Sequence, residues 1–281
     1  MTRRIALTLT LIAFFVFSLC GCQSTNSDSN EKTSLADTPR KPGTEAFQVF
    51  LENPIAHRGL YDNKKGIPEN SLAAFDEAAK AGYPIELDIQ LTSDGKLAVF
   101  HDANMSRMAN RDWKIAEHKL SEIQEVKLLD SDESIPSFDE VLKCVDGRVP
   151  ILIEIKITDK TDSSRKEIVK VLYAALDGYK GDVAIQSFDF DVAEMAIGHE
   201  PNIPVGLICS EKKTQADVAR GAGFDFMGIN IGGLSADTIS ICHRRGQAVL
   251  TWTVRNAETQ VQVLDRGADN VVFEGYSPDN S

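Results

Sequence analysis

Nine short apolar runs alternating with amphipathic segments constrain this chain most. The runs are Pro54–His57, Pro84–Leu91, Lys96–His101, Val149–Ile157, Asp182–Phe188, Pro204–Cys209, Phe224–Ile229, Ala248–Val254 and Asn270–Phe273, each the length of a strand. Between most of them lie helices with readable ends. Ser71 to Ala81 sets Leu72, Phe75 and Ala79 on one face and stops at Gly82. Ser164 with Glu167 reads as a capping box before Ile168, Val171, Leu172 and Ala175. Ser235 opens a helix closed by Gly246, and Asn256 opens one closed by Gly267. One run falls outside this alternation. Thr92-Ser93-Asp94-Gly95 is a turn that joins only antiparallel neighbours, because a parallel crossover needs a dozen residues or more. Lys96–His101 is therefore the return arm of a hairpin. The other eight runs predict a (β/α)8 TIM barrel. An open doubly wound sheet is the alternative, disfavoured because no glycine-rich nucleotide loop follows any strand.

Residues 103–148 are long for one connection. They are expected to hold a small helical insertion at the lid or edge of the barrel mouth, with helices over Ser121–Leu128 and Ser137–Cys144. The amino terminus reads differently. Arg3 and Arg4 precede an apolar run from Ile5 to Leu19, which is of signal-peptide length and short for a membrane-spanning helix. It ends in Leu19-Cys20-Gly21-Cys22, which resembles a bacterial lipobox. Residues 1–21 are thus expected to be a lipoprotein signal peptide, Cys22 the lipidated residue, and the protein an extracytoplasmic lipoprotein whose membrane contact runs through that anchor. Residues 22–46 are polar and lack apolar periodicity, which predicts a flexible tether; the barrel domain is expected over 47–281. Cys144, Cys209 and Cys242 are widely spaced in apolar surroundings and read as core residues. A net charge of −12 argues against nucleic-acid binding, which needs a basic footprint; no protein partner is predicted.

In such a barrel the active site lies at the carboxyl ends of the strands. The first strand ends in His57-Arg58. The second carries Glu86 and Asp88, two apart and so on one face, and the hairpin returns His101-Asp102 toward them. The fourth run carries Glu154 and Lys156 in the same two-residue relation, the fifth ends Gln186-Ser187-Phe188, and the eighth holds Trp252. Glu154 with Lys156 alone would read as a buried structural ion pair. With Glu86 and Asp88 beside them, three carboxylates converge and repel unless a hard divalent cation offsets the cost. Oxygen-only ligands favour Ca2+ or Mg2+ over zinc. Such a set suits metal-assisted phosphodiester cleavage, with Arg58 and Lys156 on the phosphate oxygens and His57 and His101 as general acid and base, in either order. His118, His199 and His243 lack such company and read as structural.

Together His57-Arg58-Gly59, Pro68-Glu69-Asn70-Ser71, Glu86 to Thr92, His101-Asp102, Glu154-Ile155-Lys156, Gln186-Ser187-Phe188 and Trp252-Thr253-Val254 resemble the glycerophosphodiester phosphodiesterase family, over roughly residues 53–278. The resemblance implies hydrolysis of a glycerophosphodiester to an alcohol and sn-glycerol 3-phosphate. It further implies one divalent cation, Ca2+ or Mg2+, on Glu86, Asp88 and Glu154, and acid–base roles for His57 and His101. Phosphate contacts would come from Arg58 and Lys156, a wall against the glycerol from Trp252, and support behind the site from Glu69, Asn70 and Gln186. Attack would come from the substrate's own hydroxyl, through a cyclic phosphate, or from water. Two departures stand out: Ser71 where many members have Thr, and Phe273-Glu274-Gly275 where many have Thr-Asp, a change expected to affect pocket shape. A phospholipase on lipid or envelope-polymer substrates is the neighbouring alternative. A non-catalytic phosphodiester-binding lipoprotein would be expected to lack a ligand or a histidine. A Schiff-base aldolase would use Lys156 but leave Glu86, Asp88 and both histidines without roles.

Overall fold

The computed structural model describes residues 45–199 and 202–278. The expected signal peptide, Cys22 and nearly all of the expected tether lie outside the described residues. Glu45–Phe50, which takes in the last two residues of that tether, forms a 3-10 helix.

The strands are β1 Ile55–His57, β2 Ile85–Leu91, β3 Leu97–Val99, β4 Ile151–Ile155, β5 Val183–Ser187, β6 Val205–Cys209, β7 Phe226–Asn230, β8 Ala248–Val254 and β9 Asn270–Phe273. Eight of them pair in parallel and close through β1–β2 and β1–β9. β3 alone is antiparallel, with Ile89 opposite Val99 and Leu91 opposite Leu97. The fold is thus a TIM barrel with a hairpin arm standing on β2.

The helices are α1 Leu72–Ala81, α2 Ser106–Ala109, α3 Leu120–Ile123, α4 Phe138–Val145, α5 Asp162–Leu176, α6 Phe190–His199, α7 Thr214–Arg220, α8 Ala236–Arg244 and α9 Ala257–Asp265. Several ends are where side-chain capping predicts them. Ser71, Ser235 and Asn256 each accept a hydrogen bond from the backbone N–H three residues on. Others differ. The cap of α5 is Thr161, whose hydroxyl accepts from Ser164 N; the helix thus begins three residues before the Ser164 box, because Thr161 offers the same chemistry earlier. The most buried face of α1 is Ala74, Phe75 and Ala78, with Leu72 and Ala79 only half-buried.

The insertion is also smaller than expected. Phe138, Val141, Leu142 and Val145 are buried in the main core, and α4 packs beside α1, so the Ser137-capped helix belongs to the outer ring. The expected helix over Ser121–Leu128 is the single turn α3, after which the chain reverses so that Lys127 pairs with Ser134. What remains, residues 103–136, has its own core of Met105, Met108, Ile115, Leu120, Ile123, Val126 and Leu128, which also takes in Ala98 and Phe100. It covers the outer edge of the hairpin arm, where unpaired backbone groups would otherwise lie exposed.

Alternation along each strand sorts side chains into two layers. Outward residues such as Ile151, Ile153 and Ile155 pack against the helices. The lower interior is filled by Ile55, Leu152, Ala184, Phe226, Leu250 and Val272, closed from beneath by Phe47 and Phe50. Phe226 stacks on Phe47 at 4.2 Å between ring centroids. It fits because position 206 is glycine: a Cβ there would lie 2.2 Å from the Phe226 ring. This plug blocks the lower end and leaves only the carboxyl ends of the strands for a ligand.

Candidate active site

Two residues above the apolar plug the inward positions change character. On β4 the step runs from Leu152 to Glu154, and on β1 from Ile55 to His57. On β2 the inward pair is Glu86 and Asp88. Parallel pairing sets Asp88 opposite Glu154 and Glu154 opposite Gln186. Oxygens of Glu86, Asp88 and Glu154 thereby come within 4.8 Å of one another, all buried.

The electrostatics of the cluster are unbalanced. Burial, then Asp88 and Glu154, push the Glu86 carboxyl well above its ordinary range. Burial likewise lifts Glu154 to about 7, although Lys156 opposes it through a 2.7 Å hydrogen bond. Asp88 goes the other way. Its burial is outweighed by Lys156, His101, Arg58 and the 2.9 Å hydrogen bond from Asn70 Nδ2, so it stays low. Yet Asp88 Oδ1 is buried and accepts no hydrogen bond; Lys156 Nζ stands 3.4 Å away. An orphaned carboxylate oxygen facing two further carboxylates, with oxygen donors only, fits a hard divalent cation.

The connection from β1 to α1 carries one of the cations, Arg58. Arg58 has a left-handed backbone (φ 58°), as does Asn70 (φ 55°), and Asn70 N donates to Arg58 O at 3.0 Å. This conformation points Arg58 N at Glu86 Oε2, 3.1 Å away, and NH1 at Glu69 Oε1, 2.7 Å away. Gly59 follows at φ 81°, and a Cβ there would lie 2.8 Å from the backbone of Ala74. The close approach of α1 to this loop thus requires glycine.

Each histidine is held through one ring nitrogen. His57 Nδ1 meets Glu274 Oε2 at 2.6 Å, leaving Nε2 3.9 Å from Glu86. Burial lowers the His57 pKa below its ordinary value despite Glu274. Burial would raise Glu274, but His57 and Arg255 bring it down to about 2. His101 Nδ1 meets Asp102 Oδ1, also at 2.6 Å. Both rings face a cavity of about 340 Å3 floored by Glu86 and Glu154. Its wall includes Trp252, whose Nε1 donates to Gly228 O at 3.0 Å and whose ring meets Phe188 edge-on at 5.4 Å. Gln186 lines the cavity and makes no hydrogen bond to the cluster, whereas Asn70 and Glu69 hold Asp88 and Arg58 directly.

Motif reading met Glu274 only within a departure from the family pattern and gave it no role. It follows the last residue of β9, two positions beyond inward Val272, so the alternation that picked out Glu154 picks it out too. Arg107 carries no such signal, since it sits on the one-turn helix α2.

The family model described as glycerophosphoryl diester phosphodiesterase matches residues 57–274. Among curated relatives, the putative glycerophosphodiester phosphodiesterase YhdW of Bacillus subtilis is 28% identical over 232 residues, covering 78% of this chain and 93% of the relative. A glycerophosphodiester phosphodiesterase of Caldanaerobacter subterraneus is 27% identical over 239 residues, with the same coverage. Among solved structures, an Oleispira antarctica phosphodiesterase in complex with the product sn-glycerol-3-phosphate superposes with a TM-score of 0.71 at 23% identity, covering 83% of this chain and 96% of that one.

Proposed function

Because the chain belongs to the glycerophosphoryl diester phosphodiesterase family and is an enzyme that hydrolyses glycerophosphodiesters, we propose that it does so with His57 and His101 as acid–base pair, at a site where Glu86, Asp88 and Glu154 hold one Ca2+ or Mg2+ ion. The observation that carries this reading is the fixing of both histidines by carboxylates at 2.6 Å beside the three-carboxylate cluster. A bound divalent cation supplies Lewis-acid stabilisation of the charge that grows on a phosphoryl oxygen. The remaining work falls to the chain. Arg58 and Lys156 orient the phosphate and offset its charge. Glu274 and Asp102 accept the Nδ1 protons, which leaves Nε2 of each ring for proton transfer. Burial supports His57 as the partner that is neutral at pH 7 and takes the proton from the attacking hydroxyl; His101 then protonates the leaving alcohol. Trp252 and Phe188 offer an apolar wall to the glycerol carbons. The same substrate class is supported by the product in the Oleispira relative.

Lipidation at Cys22 and an extracytoplasmic location belong to this proposal. Among the described residues no helix is long and apolar enough to cross a membrane. Cys22→Ala should abolish labelling of the protein by fatty acid, and labelling that survives the substitution would remove the anchor from Cys22. The catalytic test is release of sn-glycerol 3-phosphate from glycerophosphocholine. EDTA should stop it and Ca2+ or Mg2+ restore it. Activity indifferent to chelation and to His57→Ala would sink the mechanism.

A further inference from the structure

Arg107 lies in the insertion, one residue before the buried Met108 of α2. Its Nε and NH2 donate to Asp102 Oδ2 and Oδ1 at 2.7 and 3.1 Å, and its NH1 and NH2 donate to Glu69 Oε2 and Oε1 at 2.9 and 2.7 Å. One guanidinium therefore forks onto two carboxylates, a geometry a lysine cannot reproduce. Neither carboxylate ends the chain of contacts. Asp102 holds His101 and Glu69 holds Arg58, both in the candidate site. The backbone of Asp102 is pinned separately, because Gln90 Nε2 donates to Asp102 O at 2.9 Å. Arg107 thus fixes the remaining freedom of that side chain.

We propose that Arg107 is a positioning residue that sets His101 and Arg58 together from outside the barrel, which makes the insertion of residues 103–136 a working part of the active site. The proposal rests on the catalytic reading of His101 given above. Its physical reason is that one guanidinium, 47% exposed itself, makes four charge-assisted bonds to Asp102 and the buried Glu69, and each of those carboxylates holds a group of the candidate site. Placing the clamp on a segment with its own core lets the barrel strands keep their close packing beneath it.

The test is steady-state kinetics of the purified protein on glycerophosphocholine. Arg107→Met should lower kcat on the order of 10- to 100-fold, as loss of outer partners at metal sites does, and raise KM through the freed Arg58, while Arg107→Lys, which keeps a charge beside buried Glu69, holds the thermal midpoint near that of the parent. Arg107→Lys should recover only part of the loss. Millimolar guanidinium chloride should restore activity to Arg107→Met, and equal sodium chloride should not. Lys114→Ala on the same insertion, paired only with Glu117, should match the parent. A kcat within twofold of the parent for Arg107→Met overturns the proposal. So does a loss that tracks a lowered midpoint and resists guanidinium. His101→Ala separates the premises: if it is fully active, the reading of the site fails, whereas an inactive His101→Ala beside an active Arg107→Met removes only the clamp.

Discussion

Glu86 illustrates what a functional site costs a fold. Buried among Asp88 and Glu154, its carboxyl resists ionisation. A carboxyl whose folded pKa lies above its unfolded one holds a proton longer in the native state, so stability falls as pH rises from the ordinary carboxylate range through the folded pKa. Glu154, at about 7, adds to the same slope. The metal-free protein should therefore lose stability between pH 5 and 8 in urea melts. Glu86→Gln should remove part of that loss while abolishing turnover. Metal affinity should run the opposite way and weaken in titration calorimetry as pH falls below 7, because protons compete for the ligands. Glu274 has the reverse sign. Held down at about 2 by His57 and Arg255, it contributes stability above its ordinary pKa, lost as pH falls toward 2. Glu274→Gln would also offer His57 Nδ1 a donor in place of an acceptor. That change disfavours the tautomer with a free Nε2, and kcat should drop on the order of 100-fold or more.

At the level of elements, small groups decide where helices and strands start and fit. The hydroxyl of Thr161 opens α5, so Thr161→Ala should cost about 1 kcal/mol in a denaturant melt, while Glu167→Ala, at the expected but unused box, should leave the midpoint in place. Phe226 fills the barrel floor against Phe47 and beside Gly206. Phe226→Ala should destabilise by about 3–5 kcal/mol, measured in the same way. α4 was expected to belong to the insertion, since length and capping define a helix without saying what its apolar face meets. Phe138 and Val141 join the main core because α1 lies opposite them, and that is a fact of packing.

On the scale of the whole molecule, barrel closure turns eight separate strand ends into one site. Cation binding to the native state alone should raise stability by about 2.7 kcal/mol at a hundredfold excess over Kd, or several degrees in thermal midpoint, and EDTA should reverse it. A midpoint that ignores Ca2+, Mg2+ and EDTA alike would remove the ion from the site.

Strand and helix alternation is a local property. Eight runs, one Asp-Gly turn and the punctuation at Ser71, Ser235 and Asn256 were enough to read the barrel and to place Glu86, Asp88, Glu154, His57 and His101 at strand ends. The partners of those residues were another matter. His57 and Glu274 are 217 positions apart in the chain and meet only because β9 closes on β1. Arg107 reaches Asp102 and Glu69 from a single turn with no periodicity to mark it. Periodicity along a chain tells which side of an element faces inward, and so it named the groups that line the candidate site. Glu69 and Asn70, near the motif histidine and arginine in the chain, were named as support from sequence, but which charge stands against which is set by closure of the sheet and packing of the insertion, so Glu274 and Arg107 took their roles only in three dimensions.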